Sequence, residues 1–259
     1  MNLLEIQRGS SANLCQTYFS LGLAVPNSTK IAEEGFQACL GEFEHPICNF
    51  AVGLKLDPWS TKQLGSIAAK KRAFNVYALP GDTPEHLGEL LHRSNFRVNY
   101  RLAQLVAEPI PKHRGPEMII AESPVRRYEV ARFMTEQFFS RQTEGFRKRV
   151  AQATADATEL ELHELIESNQ RAGAVMLCHS AGVVGIYNLC VASARRGFGL
   201  GKELTRWALS TAFDSGKLVT LQCDARLKPW YEEQGFCQTG TVEVYTLSKS
   251  GRGDIMGSS

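Results

Sequence analysis

The chain has 259 residues, 43% of them hydrophobic and 22% charged, with a formal net charge of +2. That length fits one large domain or two of ordinary size, with enough apolar residues to bury a core. A charge so near neutral gives no electrostatic case for nucleic acid or a membrane surface as partner. No apolar stretch approaches the roughly 20 residues of a membrane helix. The seven cysteines, at positions 15, 39, 48, 178, 190, 223 and 237, form no C-x-x-C pair. An odd, scattered set argues against a disulfide framework or a zinc site, and for a reducing compartment. The start Met1-Asn2-Leu3-Leu4-Glu5 lacks the basic region and long apolar run of a signal peptide. A cytoplasmic protein without a metal is therefore expected.

In the N-terminal half, Cys48 to Leu56 reads as a strand, Thr61 to Lys71 as a helix, Phe74 to Leu79 as a strand and Glu85 to Arg93 as a helix. Pro109, Pro111, Gly115 and Pro116 then crowd into one short segment, which reads as a linker over 109–117. Beyond it Met118 to Ala121 is a short strand. Ser123 followed by Pro124 has the form of an N-cap and first helical residue, opening a helix to Phe139. Further helices are expected over Phe146 to Ala153 and Glu159 to Glu167. Ala174 to Cys178 and Val183 to Val191 read as strands joined by a hairpin turn. A helix follows from Gly201 to Ser215, with Leu204, Trp207, Ala208, Thr211 and Ala212 forming one stripe. Gly216 ends it. Leu218 to Cys223 is a strand, Leu227 to Gln234 a short helix ended by Gly235, and Thr241 to Leu247 a last strand. The tail 248–259, rich in glycine and serine, is expected to be disordered. Its Arg252-Gly253-Asp254 triplet is read as a chance match to a cell-adhesion tripeptide.

The strand–helix–strand–helix order thus occurs twice. Its clearest echo is Leu90-Leu91-His92-Arg93-Ser94-Asn95-Phe96 beside Trp230-Tyr231-Glu232-Glu233-Gln234-Gly235-Phe236. Asn95 and Gly235 are both residues that tolerate the left-handed conformation after a helix.

The chemistry concentrates in Arg195-Arg196-Gly197-Phe198-Gly199-Leu200-Gly201-Lys202, between a strand and a helix. Alternating glycines there present bare backbone N–H groups at a helix N-terminus, which is a site for phosphate. The spacing is one residue short of a P-loop, and Glu203 stands where a Mg²⁺-binding hydroxyl is needed. A dinucleotide or kinase loop needs glycine where Lys202 stands.

Arg196-x-x-Gly199-x-Gly201 resembles the pyrophosphate-binding loop of the GCN5-related N-acetyltransferases (GNAT), read as Q/R-x-x-G-x-G/A. Gly185 to Leu189 resembles that family's central strand. Asp224 to Phe236 resembles its later "N…Y-x-x-x-G-F" element, with Asp224 in place of the asparagine and Tyr231, Gly235 and Phe236 matching. The resemblance covers 118–247. It implies an α/β fold with a central mixed sheet flanked by helices, acetyl-CoA as donor, and direct transfer to a primary amine. By the same resemblance Gly197, Phe198, Gly199, Leu200, Gly201 and Lys202 would hold the pyrophosphate with Arg196. Leu189, Cys190 and Val191 would flank the pantetheine, joined by Asp224, and Tyr231 would act as general acid.

The central strand offers no carboxylate for a general base. Glu136, Glu144 and His163 are candidates that read as surface residues, and Cys190 reads as a buried thiol rather than a nucleophile. In the N-terminal half Asp57-Pro58-Trp59-Ser60-Thr61 replaces the glycine loop and Leu91 replaces Tyr231. Residues 1–108 are therefore expected to be a degenerate acetyltransferase-like domain, paired in tandem with a working one at 118–247. The acceptor is a small-molecule or protein amine, and a homodimer is admitted. A non-catalytic acyl-CoA sensor or an interaction module is the alternative.

Overall fold

The computed structural model describes residues 2–112, 115–180 and 182–248. The expected tail beyond Ser248 and part of the expected linker lie outside the described residues. Helix α1 (Leu3–Leu23) opens on a capping box between Asn2 and Glu5 and is followed by strands β1 (Thr29–Glu33), β2 (Phe36–Leu40) and β3 (Asn49–Val52). Then come α2 (Pro58–Ala68), β4 (Asn75–Ala78), α3 (Leu87–Arg93) and β5 (Phe96–Ala107). The C-terminal half holds β6 (Ile119–Ile120), α4 (Pro124–Phe138), α5 (Glu144–Asp156), β7 (Glu161–Glu167), β8 (Gln170–His179) and β9 (Val183–Val191). It ends with α6 (Leu200–Thr211), β10 (Leu218–Cys223), α7 (Lys228–Glu232) and β11 (Cys237–Leu247).

All strands form one mixed sheet in the order β1-β2-β3-β4-β11-β5-β10-β9-β8-β7-β6. The arrangement is symmetric about the β11–β5 pair. In each half an antiparallel run leads to two parallel strands joined by a helix, β3-α2-β4 and β9-α6-β10. The last strand of each half then lies against the parallel pair of the other: β5 pairs with β10, and β11 pairs with β4. The two halves thus share a sheet, each lending its final strand. The sequence echo has a structural counterpart, since Asn95 (φ 64°) and Gly235 (φ 92°) both turn the chain left-handed between a short helix and its long strand.

Helices cover both faces. α1, α4 and α5 pack on one, where Leu14, Met134, Val150 and Ala151 meet β2 to β4 and β7 to β9. α2, α3 and α6 pack on the other, burying Leu64, Leu91, Leu204 and Ala208. The apolar stripe expected on α6 is the face that enters the core.

One expected helix is absent. Residues 161–167 form strand β7, joined to β8 by a tight turn in which Ser168 and Asn169 both have positive φ. Leu160, Leu162, Glu164 and Ile166 alternate with Glu161, His163, Leu165 and Glu167, a period of two that outweighs the helix propensity of Glu and Leu. Glu164 fits the interior because Arg126 and Arg171 both donate to its carboxylate, the latter at 2.5 Å. His163 is consequently a strand residue.

Candidate active site

β9 and β10 run parallel and pair at Val183–Leu218, Val184–Val219 and Gly185–Thr220. Pairing stops there, although β9 continues to Val191 and β10 to Cys223. On its other edge β9 stays with β8 as far as Val191–Gly173, through an irregularity between Ala174 and Met176. Asn188 sits in that bulge with φ 48°. The strands therefore splay, and Leu189, Cys190 and Val191 lie along the opened edge. A sheet edge with unsatisfied backbone groups can pair with an extended, amide-bearing ligand.

The glycine loop closes one end of this gap. A single 3-10 turn, Ser193–Arg195, leads through Arg196 into Gly197 (φ 84°) and Gly199 (φ 81°). Both conformations strongly favour glycine. Gly199 is the N-cap of α6 and no side chain caps that helix; the Lys202 and Glu203 N–H groups donate to the Gly199 carbonyl, which leaves those of Leu200 and Gly201 at the loop cavity. That cavity, about 400 Å³, is lined by Val191, Arg195, Arg196, Gly197, Gly199, Leu200, Gly201, Lys202 and the Trp230 ring, together with Glu233 and Gln234. A β-carbon on Gly201 would meet only Trp230 at 3.6 Å and Val191 at 4.0 Å. Phe198 points away, 82% exposed.

The two arginines differ. Arg196 donates from Nε to the Val191 carbonyl at 3.1 Å and from Nη2 to Gln137 at 3.0 Å, fastening the loop to the end of β9 and to α4. Arg195 is paired with Glu167.

Tyr231 lies on α7, packed against Trp230 at 4.7 Å and Phe236 at 5.6 Å between ring centroids. Burial, with a smaller contribution from Cys223, pushes its hydroxyl up to about 12, so it keeps its proton at neutral pH. It packs on the α6 side of the sheet, near the core that also takes Leu189. Asp224 is committed elsewhere: its carboxylate accepts from the backbone N–H of Arg226 at 2.9 Å and from Arg226 Nε at 2.8 Å. These bonds hold its pKa below the usual carboxylate range. Burial pushes the Cys190 thiol up to about 12, which keeps it from acting as a nucleophile.

The carboxylates considered as bases stand in local ion pairs. Glu136 accepts from Arg132 at 3.0 Å and Glu144 lies 2.8 Å from Lys148, both on exposed helix faces. His163 is buried against Trp207, its Nε2 3.0 Å from Glu161. None of these three, nor Tyr231, lines either of the two cavities that flank the opened edge of β9.

The second of those cavities was not visible in any motif. It also measures about 400 Å³ and lies on the α1, α4 and α5 side, where Asn188 of the bulge faces residues of the N-terminal half. Asn75 and Tyr77 of β4, Asn99 and Tyr100 of β5, and Tyr18 of α1 form its wall. Asn75 Nδ2 donates to the hydroxyls of Tyr77 (3.3 Å) and Tyr100 (3.5 Å). These residues are scattered over more than a hundred positions and converge only through the shared sheet.

The equivalent gap in the N-terminal half is stitched shut. Beyond β3 the Leu56 N–H donates to the Thr83 carbonyl, and Thr83 donates back to Leu54, both at 2.9 Å. Asp82 accepts from the N–H groups of Leu54 (3.1 Å) and Leu79 (2.8 Å). At the start of α2 the Asp57 carboxylate accepts from Ser60 N at 2.7 Å, so an anionic side chain already occupies the helix N-terminus. Leu91, at the place of Tyr231, is fully buried. Thus, among the described residues, only those of the C-terminal half form both an open sheet edge and an uncapped, glycine-lined helix start.

Residues 125–246 match the family model described as an acetyltransferase (GNAT) domain. The C-terminal half is a GNAT domain. Solved structures resemble nearly the whole chain. A GCN5-related N-acetyltransferase from Kribbella flavida superposes with a TM-score of 0.65 at 15% identity, covering 92% of this chain and 96% of its own. An acetyltransferase of the GNAT family from Colwellia psychrerythraea gives 0.55 at 12% identity, covering 93% and 96%. A tandem GNAT protein from the clavulanic acid biosynthesis pathway gives 0.59 at 11% identity, covering 94% and 96%. At such identities the likeness is one of fold, and it extends the tandem GNAT architecture over both halves. No curated protein matches the sequence. Among the described residues no helix is long and apolar enough to cross a membrane, and no cluster of His, Cys, Asp and Glu could hold a metal ion.

Proposed function

We propose that this GNAT domain transfers the acetyl group of acetyl-CoA directly to a primary amine, and that only the C-terminal half holds the donor. Family and fold support acyl transfer as the general activity. The observation that carries the finer reading is the pairing of the splayed β9–β10 edge with the uncapped start of α6. Acetyl-CoA supplies an activated thioester, a pyrophosphate and an amide-bearing arm. The N–H groups from Phe198 to Gly201 suit the pyrophosphate, with the positive end of α6 behind them; that of Lys202 is taken by the Gly199 carbonyl. The edge Leu189–Val191 suits the arm, and its N–H groups are the donors available to an acetyl oxygen.

An acetyl arm in the gap past Gly185 and Thr220 would be open to both faces of the sheet. Tyr231 stands on one face and Asn188 with its cavity on the other. An amine in that cavity would form the new nitrogen–carbon bond as the carbon–sulfur bond breaks. One proton must leave the nitrogen and one must reach the sulfur. Tyr231, held protonated, would give the latter and be reloaded through solvent.

The test is calorimetry with acetyl-CoA, followed by assay of thiol release over a panel of amines. Binding without transfer to any amine would select an acyl-CoA sensor. Absence of binding would overturn the reading.

A further inference from the structure

The cavity beside Asn188 carries a statement about the acceptor, and that statement rests on the reading above. Its walls are aromatic rings, aliphatic side chains such as Leu21 and Val150, and amides. Among the described residues its lining contains no Asp, Glu, Lys or Arg. The titratable groups that face it are His45 and the hydroxyls of Tyr18, Tyr77 and Tyr100. His45 Nδ1 accepts the Ile47 N–H at 3.1 Å, and its ring packs among Phe43, Phe139 and Phe146. Burial lowers its pKa to about 4, so the imidazole is neutral. The same burial raises all three tyrosines and keeps them protonated.

Such a chamber has no counter-charge for a carboxylate, a phosphate or a second ammonium. An ammonium stripped of water there gains from the ring faces less than it loses in hydration. Burial without a partner lowers an amine's pKa, as it does for lysine. The free base is also the nucleophile that the reaction needs. The lack of a carboxylate on β9 and the neutral cavity therefore fit together.

We propose that the cavity between the two halves is the acceptor site, that it admits a compact primary amine with an aromatic or alicyclic body and no other charge, and that the amine reacts as the free base. The N-terminal half then sets specificity: it has no open donor site of its own, and its β4 and β5 build the acceptor wall.

The experiment uses the full chain, acetyl-CoA and four probe classes: phenethylamine and cyclohexylamine, spermidine, an amino acid, and a lysine-containing peptide. The ring amines are expected to give the highest kcat/KM, rising about tenfold per pH unit below the amine's own pKa. Tyr100→Ala and, separately, Asn99→Leu alter exposed parts of the wall. Each is expected to raise KM for phenethylamine at least tenfold, with acetyl-CoA affinity unchanged as proof of folding. Preference for spermidine, the amino acid or the peptide overturns this inference and leaves acetyl transfer standing. Unchanged KM in both variants overturns the placement of the acceptor. Failure to transfer to any probe, with or without acetyl-CoA binding, overturns both readings.

Discussion

Asn13 of α1 sits directly over Gly185 of β9: a β-carbon at Gly185 would lie 2.0 Å from Asn13 Oδ1 and 2.5 Å from the Tyr187 ring. Asn13 is fully buried. It donates to the Cys178 carbonyl at 2.9 Å and accepts from the Tyr187 hydroxyl at 2.8 Å. One asparagine from the N-terminal half thus bonds to β8 opposite Gly185, the last residue before β9 and β10 part, and to β9 at Tyr187 just beyond it. The close approach needs glycine for space, since Gly185 is not among the positive-φ residues.

Gly185→Ala is therefore expected to eject the Asn13 amide and leave buried polar atoms unpaired. The cost is about 2–3 kcal/mol. Thermal unfolding measures it. The damage should reach the site, because β9 carries the opened edge, so kcat falls as well. A Tm equal to wild type would show that Asn13 can move aside freely.

The two glycines that open α6 differ in what they tolerate, since Gly199 has a positive φ and Gly201 does not. Gly199→Val strains a left-handed residue and encumbers the cavity together, so it should lose both stability and CoA affinity. Gly201→Ala meets only ordinary contacts within the protein. Alanine is also admitted at this place in the loop pattern, so the variant should fold as wild type and keep its CoA affinity. Calorimetry beside a melting curve distinguishes them. As a control, Asp57→Ala in the N-terminal half should lower Tm by a few degrees through loss of the α2 cap and leave CoA affinity untouched.

These contrasts show what was legible in the chain. Local signals carried well in two places: Ser123-Pro124 began α4, and the alternating glycines marked an uncapped helix start, whereas α6 ends at Thr211 and a turn, not helix, runs on to Gly216. They also pointed to the internal repeat through Asn95 and Gly235. Residues 161–167 failed because Glu and Leu favour helices in isolation, while their alternation and the Ser168-Asn169 turn favour a hairpin. The exchange of β5 and β11 between halves was invisible, since pairing over more than a hundred residues leaves no local trace. The acceptor wall depends on that exchange. Tyr100, Asn75 and Asn188 become neighbours only when the sheet closes.

Tyr231→Phe keeps the ring against Trp230 and Phe236 and removes only the hydroxyl. Because burial holds that hydroxyl protonated up to about pH 12, its loss removes a proton donor at every working pH. The expected result is a fall in kcat of roughly a hundredfold with CoA affinity unchanged. A donor role predicts a further distinction: acetyl thioesters with more acidic thiol leaving groups should lose less. Equal losses for all donors would assign Tyr231 to packing alone.

His45 gives the stability a pH dependence with a defined sign. In the unfolded chain its imidazole takes a proton near pH 6.5, and in the fold burial delays this to about pH 4. Between these values the unfolded state binds more protons, so the contribution of His45 is constant above about pH 6.5 and is lost as pH falls toward 4. His45→Asn removes the titration while retaining a side-chain oxygen for the Ile47 N–H. The difference in Tm between wild type and variant should therefore be flat above pH 6.5 and shift against wild type below it. Urea midpoints across the same range provide a second measure. A difference independent of pH would mean that the ring opens to solvent, and the acceptor cavity would then hold a charge at acidic pH.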